Sequence, residues 1–102
     1  METGLPTIEE VKLYLNITWE EEETNHTLST ILPRADAMLR TYISQKIDYE
    51  ENQMVKQLFL DLCRYIYNHA SEQFKVDYHD ELFSLRNFYR SSELESGEEN
   101  GI

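Results

Sequence analysis

The sequence predicts an all-α fold. It is a small bundle of two long antiparallel helices, with a short N-terminal helix, a short C-terminal helix and a disordered acidic tail. Three observations predict it. Apolar residues recur with a helical period over 28–43 and again over 54–70. Three Gly and two Pro in 102 residues are too few to turn the many short strands of an all-β fold. The last segment, SSELESGEENGI, holds almost nothing apolar to bury. The length suits one domain, with residues 1–90 helical and 91–102 as the tail. A chain of this size buries about 65% of its unfolded surface, so the core is thin.

Residues 1–6 form a short arm. Thr7-Ile8-Glu9-Glu10 then has capping-box spacing: the Thr hydroxyl accepts from the Glu10 N–H and the Glu10 carboxylate reaches back. Pro6 sets the boundary ahead of it. Ile8, Val11 and Leu15 share a face of this first helix. Eight or nine residues are marginal alone, so it must pack on something larger. Asn16 to Thr24 is a connector in which Ile17 and Trp19 tuck in and Glu20–Glu23 stay solvated. Thr18 or Thr24 is placed to cap the next helix.

The second helix runs from about Asn25 to Ser44. Leu28, Ile31, Leu32, Ala35, Met38, Leu39, Tyr42 and Ile43 make a stripe of about 140°. Pro33 falls inside it but opposite the stripe, where the freed carbonyl of Ser29 can take water. A start at Pro33 is the alternative. It leaves Leu32 as N-cap, and a leucine has no acceptor to offer.

Gln45–Glu51 reads as a polar loop with Ile47 and Tyr49 as docking points. The central helix comes next, from about Glu50 to Ser71. Val55, Leu58, Phe59, Leu62, Ile66, His69 and Ala70 fall on one face, flanked by Met54, Leu60, Cys63, Tyr65 and Tyr67. Only Gln57, Asp61, Arg64 and Asn68 make a polar strip, about 60° wide. The apolar arc is about twice that of an ordinary surface helix. Such a helix sits in the middle of a bundle or buries a second face against another chain. Glu72–Tyr78 reads as a linker with Phe74 and Val76 available to pack. Asp77 or Asp80 caps a final helix of about Asp80 to Arg90. There Leu82, Leu85 and Tyr89 share a face, and Phe83 and Phe88 lie off it.

The net charge of −11 is unevenly placed. Residues 1–30 carry seven acids and one Lys, residues 31–90 nine acids and eight bases, and residues 91–102 four Glu and no base. Sequence-independent nucleic-acid binding needs clustered Lys and Arg to displace counterions, and the sequence shows no such run. An acidic surface instead repels phosphate. The N-terminus lacks the apolar core of a signal peptide, and no run approaches the length of a membrane span. A soluble protein made in a reducing compartment is the expectation. Without a secretion signal, Asn16-Ile17-Thr18 and Asn25-His26-Thr27 read as chance glycosylation triplets.

The motifs do not point to catalysis, a cofactor or a metal. Cys63 is the single cysteine, so no internal disulfide forms, and its place on the apolar side reads as a small core hydrophobe. His26, His69 and His79 make no two-ligand spacing. His69 reads as a core or interface histidine, and Asp77-x-His79-Asp80 as a linker entering a cap. Glycines at 4, 97 and 101 cannot make a phosphate loop. What remains is surface: Tyr65, Tyr67, Phe83 and Phe88 are aromatics of the kind enriched at protein interfaces.

The order of features resembles the head-completion proteins of long-tailed bacteriophages, also called adaptors or head–tail connectors. The resemblance is carried by Ile8-Glu9-Glu10-Val11-Lys12-Leu13-Tyr14-Leu15-Asn16-Ile17 and the acids Glu20–Glu23. It continues in the stripe Leu28, Ile31, Leu32, Ala35, Leu39, Tyr42, Ile43 and the Tyr-rich helix of 54–70. It spans about residues 7–90 and sits nearest to adaptors of Bacillus-infecting siphophages. Two departures stand out: Pro33, and Ser44-Gln45-Lys46 where the family usually has a Gly-containing turn.

The resemblance implies a virion subunit that waits in the host cytoplasm and then forms a ring, commonly twelve-fold, beneath the portal protein. The ring extends the DNA channel, lets DNA pass without specific binding, and offers a platform to the stopper protein and the tail. No membrane is involved. Under this reading Leu82, Phe83, Leu85, Arg86, Phe88, Tyr89 and Arg90, with Glu93 and Glu95 of the tail, contact the portal. Gln45, Lys46, Ile47, Asp48, Tyr49 and Glu50 face the stopper. Leu60, Tyr65 and Tyr67 meet neighbouring subunits. Before assembly the acidic chain is expected to be monomeric, because like charge opposes association. The competing expectation is a small acidic helical regulator that inhibits a host protein.

Overall fold

A computed structural model describes the backbone of residues 4–101 and the side chains of residues 4–91. Five helices run in order: α1 (Ile8–Tyr14), α2 (Glu22–Tyr42), α3 (Gln53–Tyr67), α4 (Ser71–Asp77) and α5 (His79–Gly101). The all-α bundle is as expected. Helices α2 and α3 pack antiparallel, so that Thr27, Ile31 and Arg34 of α2 lie beside Ile66 and Tyr67 at the far end of α3. Leu28, Leu39, Val55, Phe59, Leu62 and Cys63 fill the seam between them and are fully buried. Burying a Leu or Phe side chain stabilises the fold by about 1.5–3 kcal/mol, and this seam is the main source.

The capping box forms as the spacing predicts. The Glu10 N–H donates to Thr7 Oγ1 at 3.2 Å, and the Thr7 N–H donates to Glu10 Oε1 at 3.0 Å. Helix α2 begins at Glu22 rather than Asn25, and its N-cap Glu21 makes no side-chain cap. Thr24 instead lies buried within the first turn, where it accepts from the Trp19 indole N–H (3.2 Å) and donates to Glu21 Oε1 (2.9 Å). Trp19, expected to tuck in, is half exposed because its polar edge is satisfied at the surface. Pro33 lies inside an unbroken α2 on the exposed side.

Only three glycines serve this chain, so other residues close its helices. After α1, Asn16 takes φ 63° while the Ile17 N–H bonds to Lys12 O (2.8 Å) and the Asn16 N–H to Leu13 O (3.2 Å). After α3, His69 takes φ 59° while the Ala70 N–H bonds to Tyr65 O (2.7 Å) and the His69 N–H to Ile66 O (3.0 Å). Both are Schellman motifs. His69, expected in the core or at an interface, is exposed and so outside the core, and it ends the central helix early. The helix also starts later than Glu50, because Asn52 caps it by accepting from Met54 N (3.0 Å) and Val55 N (3.2 Å).

The stretch expected to be a linker, 72–78, is helix α4. Its Phe74 is fully buried, and its Val76 is exposed rather than packed. Neither Asp77 nor Asp80 caps the last helix: Tyr78 alone separates α4 from α5, and the helical bond Leu82 N→Tyr78 O (2.9 Å) starts there. Helix α5 passes the expected end at Arg90 and runs to Gly101. The stretch 91–102, expected to be disordered, is helical in its backbone as far as Gly101, and its side chains after Ser91 lie outside the described residues. The arm also docks. Pro6 is fully buried. Gly4 holds φ 76° where a Cβ would sit 2.1 Å from Glu50 Cγ, so no larger residue fits there without displacing the loop.

Candidate interaction surfaces

The two polar groups that the core holds most closely are ones the helical pattern assigns to solvent. Asp61, expected on the polar strip, is buried. Its Oδ1 accepts from the Tyr14 hydroxyl on α1 and from Gln57 Nε2 (3.2 Å), and its Oδ2 accepts from the Tyr78 hydroxyl (3.1 Å). Lys12 is also buried, with Nζ donating to Glu20 Oε1 (2.5 Å) and Asn25 Oδ1 (3.0 Å). That contact ties α1 to the start of α2 and holds the Glu20 carboxyl below its usual range. Both are satisfied structural groups.

Of the residues expected to face a portal, Leu82 and Leu85 are buried in the chain's own core and cannot meet a partner. Tyr89 is half-buried, its hydroxyl accepting from Asn52 Nδ2 at 3.4 Å. Phe83 (53% exposed) and Phe88 (57%) do stand on the surface, as do Arg86 and Arg90. The side chains of Glu93 and Glu95 lie outside the described residues. In the loop expected to face a stopper, Gln45, Lys46 and Glu50 are exposed and Asp48 is half-buried. Ile47 and Tyr49 are corrected to core: Tyr49 packs edge-on against Phe59 at 5.1 Å and donates to Asp36 Oδ1 at 2.7 Å. The short loop can only close by sinking these two side chains under it.

The flanks of the central helix separate in the same way. Tyr65 is half-buried against the chain itself. It lies edge-on to Phe74 (5.5 Å) and Tyr78 (5.7 Å) and donates to Asp77 Oδ2 at 2.7 Å. Part of its side chain stays at the surface, in a groove with Arg64, Asn68 and Ala70. Leu60 stays at the rim of a shallow groove of about 370 Å³ with Glu10, Leu13, Tyr14 and Lys56. Leu13 there is 81% exposed. Tyr67 borders a second groove of about 540 Å³ between α2 and α3, with His69 at its edge.

Two surface features bring together residues that the sequence expectations kept apart. At the α4–α5 elbow, Val76 (68% exposed) stands beside His79, whose ring stacks on Phe83 at 6.4 Å. Where α2 ends, a groove of about 490 Å³ is lined by Arg40, Ile43, Ser44, Gln45, Lys46, Arg86 and Arg90. Four of the nine Lys and Arg of an acidic chain thus meet in one place. Arg86 and Arg90, expected at the portal, and Gln45 and Lys46, expected to face the stopper on the opposite side, line one groove rather than two separate faces. Among the described residues no group of His, Cys, Asp and Glu is placed to hold a metal ion, and no helix is long and apolar enough to cross a membrane. Asp77 of the His79 segment is taken up by Tyr65 and by Gln73 Nε2 (2.9 Å). Among the described residues, the surface of this small helical domain carries shallow grooves and exposed apolar side chains. No family model, curated protein or solved structure matches the chain.

Proposed function

We propose that this chain is a structural subunit of a phage head–tail connector. It would form a ring under the portal, extend the DNA channel and carry the docking platform for the stopper protein and tail. The observation that carries the reading is the run Ile8–Ile17 followed by the acids Glu20–Glu23 and the apolar stripe of 28–43, in the order of the head-completion proteins. The structure supports it indirectly. The resembling residues Val11, Ile17, Leu28, Ile31, Leu32, Ala35, Leu39 and Ile43 are core residues, so the resemblance lies where a fold is built. The net charge of −11 suits a subunit beside moving DNA, since few phosphate contacts can form. Phe83 and Phe88 offer exposed aromatic anchors for a partner.

Native mass spectrometry with the portal protein encoded near this gene tests the reading. A complex carrying a ring of these subunits is expected, and a bare portal at saturating subunit overturns it. Deletion of 91–102 tests the tail: unchanged portal affinity removes it from the contact. The second reading, a regulator of a host protein, draws on the exposed Val76–His79–Phe83 elbow. Neighbouring reading frames separate the two. Portal and capsid genes favour the connector, and early regulatory genes favour the regulator.

A further inference from the structure

We infer that the basic groove at the C-terminal end of α2 binds the acidic corner Glu20–Glu23 of a second copy of this chain, in a head-to-tail contact. The groove concentrates positive charge that is cancelled only in part. Arg40 is matched by Asp36 on its own helix (3.1 Å). Arg86 spends its Nε on the carbonyl of Tyr42 (2.9 Å), which neutralises no carboxylate. Lys46 and Arg90 form no ion pair among the described residues. At the other end of α2, Glu22 and Glu23 are exposed and likewise unpaired among the described residues.

Helix α2 makes the contact intermolecular. At 1.5 Å per residue, about 27 Å of rigid helix separates Glu22 from Arg40. The acidic corner cannot fold back onto its own groove, because the same rod holds them apart. One surface of each copy therefore meets a different surface of the next, which is the heterologous geometry that builds rings or filaments. Salt decides how readily it forms. The net charge repels copies at long range, while the groove attracts at contact. With a Debye length of about 8 Å at physiological salt, screening removes more of the first than of the second. Association should peak at moderate ionic strength and fall at both extremes.

The inference deepens the proposed ring by naming the surfaces that meet, and rests on that reading for the ring but not for the pairwise contact. The test uses two full-length variants with exposed substitutions, E22K/E23K and K46E/R90E. Each alone should self-associate at least about tenfold more weakly than the parent chain, since each sets like charges face to face. Mixed, they pair the intact corner of one with the intact groove of the other, and their two reversed surfaces are complementary as well, so the mixture should regain the association of the parent chain. In NMR titrations with one variant isotope-labelled, amide shifts should appear near 20–25 of K46E/R90E and near 40–46 and 86–90 of E22K/E23K. A chain carrying all four reversals should self-associate again.

Absence of shifts on mixing, or shifts confined to residues outside the corner and the groove, overturns the inference. Groove shifts in the parent chain on adding a short DNA duplex, without any on mixing the variants, assign the groove to phosphate and also overturn it. The portal experiment stays separate. If both variants still form rings on the portal, this interface is wrong and the connector reading survives. If the variants pair but the parent chain ignores the portal, the interface stands and the connector reading falls.

Discussion

The hydroxyl of Tyr14 on α1 donates to the buried carboxylate of Asp61 on α3, and Tyr78, between α4 and α5, donates to the other oxygen of the same group. One side chain on the central helix thus fastens both ends of the chain to the middle. Asp61→Ala should destabilise by about 2–4 kcal/mol, because it leaves two phenols without their acceptor. Tyr14→Phe should cost about 1.5–3 kcal/mol, the range for a hydrogen bond to a charged group. Urea unfolding measures both. Equal stability of Asp61→Ala and the parent would show that the junction is held by packing alone.

Alkali should unlock the fold. Burial, then the bond to Asp61, raises the ionisation of Tyr14 above the ordinary 10.0, and burial beside Asp61 does the same for Tyr78. Tyr49 is raised by burial and Asp36, and Tyr65 chiefly by its bond to Asp77. Each phenol holds its proton more tightly folded than unfolded. The stabilisation is whole below about pH 10 and is lost as pH rises through the raised values. Ultraviolet titration should show these four tyrosines ionising late and together with unfolding, against an ordinary titration in denaturant. Ordinary titration of all seven in the folded chain contradicts the network.

His69→Gly should stabilise the chain by about 0.5–1 kcal/mol. The imidazole is exposed, and its backbone sits in the left-handed region that a side chain resists. His69→Ala keeps the strain and should gain nothing. Thermal unfolding of both variants decides, and a loss with glycine would mean that the histidine holds something its exposure does not reveal.

Phe74 and Val76 lie two residues apart in α4 and should behave as opposites. Phe74 stacks on Tyr78 at 4.5 Å and meets Tyr42 and Tyr65, so Phe74→Ala should cost about 3–5 kcal/mol. Val76→Ala should move stability by less than about 0.5 kcal/mol, as exposed positions do. Denaturant midpoints compare the two directly.

Cys63 should be inert while the chain is folded. It is fully buried, and burial pushes its thiol up to about 12. Thiol-specific reagents at neutral pH should label it only after denaturation. Prompt labelling of the folded protein would show that the α2–α3 seam opens.

By itself the sequence determined four of the five helices and, in α2 and α3, which faces turn inward. Spacing at 3.6 residues places Leu28, Leu39, Val55 and Leu62 in the core, and the Thr7–Glu10 box and exposed Pro33 come from local bonding rules. Those are properties of neighbouring residues, legible without knowing what lies across the chain. Tertiary structure decided the rest. It turned Asp61 and Lys12 inward, because partners distant in sequence arrived to satisfy them. It sank Ile47, Tyr49, Leu82 and Leu85, made 71–77 a helix over the aromatic cluster, and packed Tyr65 against it. It also gathered Arg40, Lys46, Arg86 and Arg90 from three separate segments into one groove. A pattern rule sees a charge as solvent-facing; only packing shows which charges meet, and there the surfaces of this protein are made.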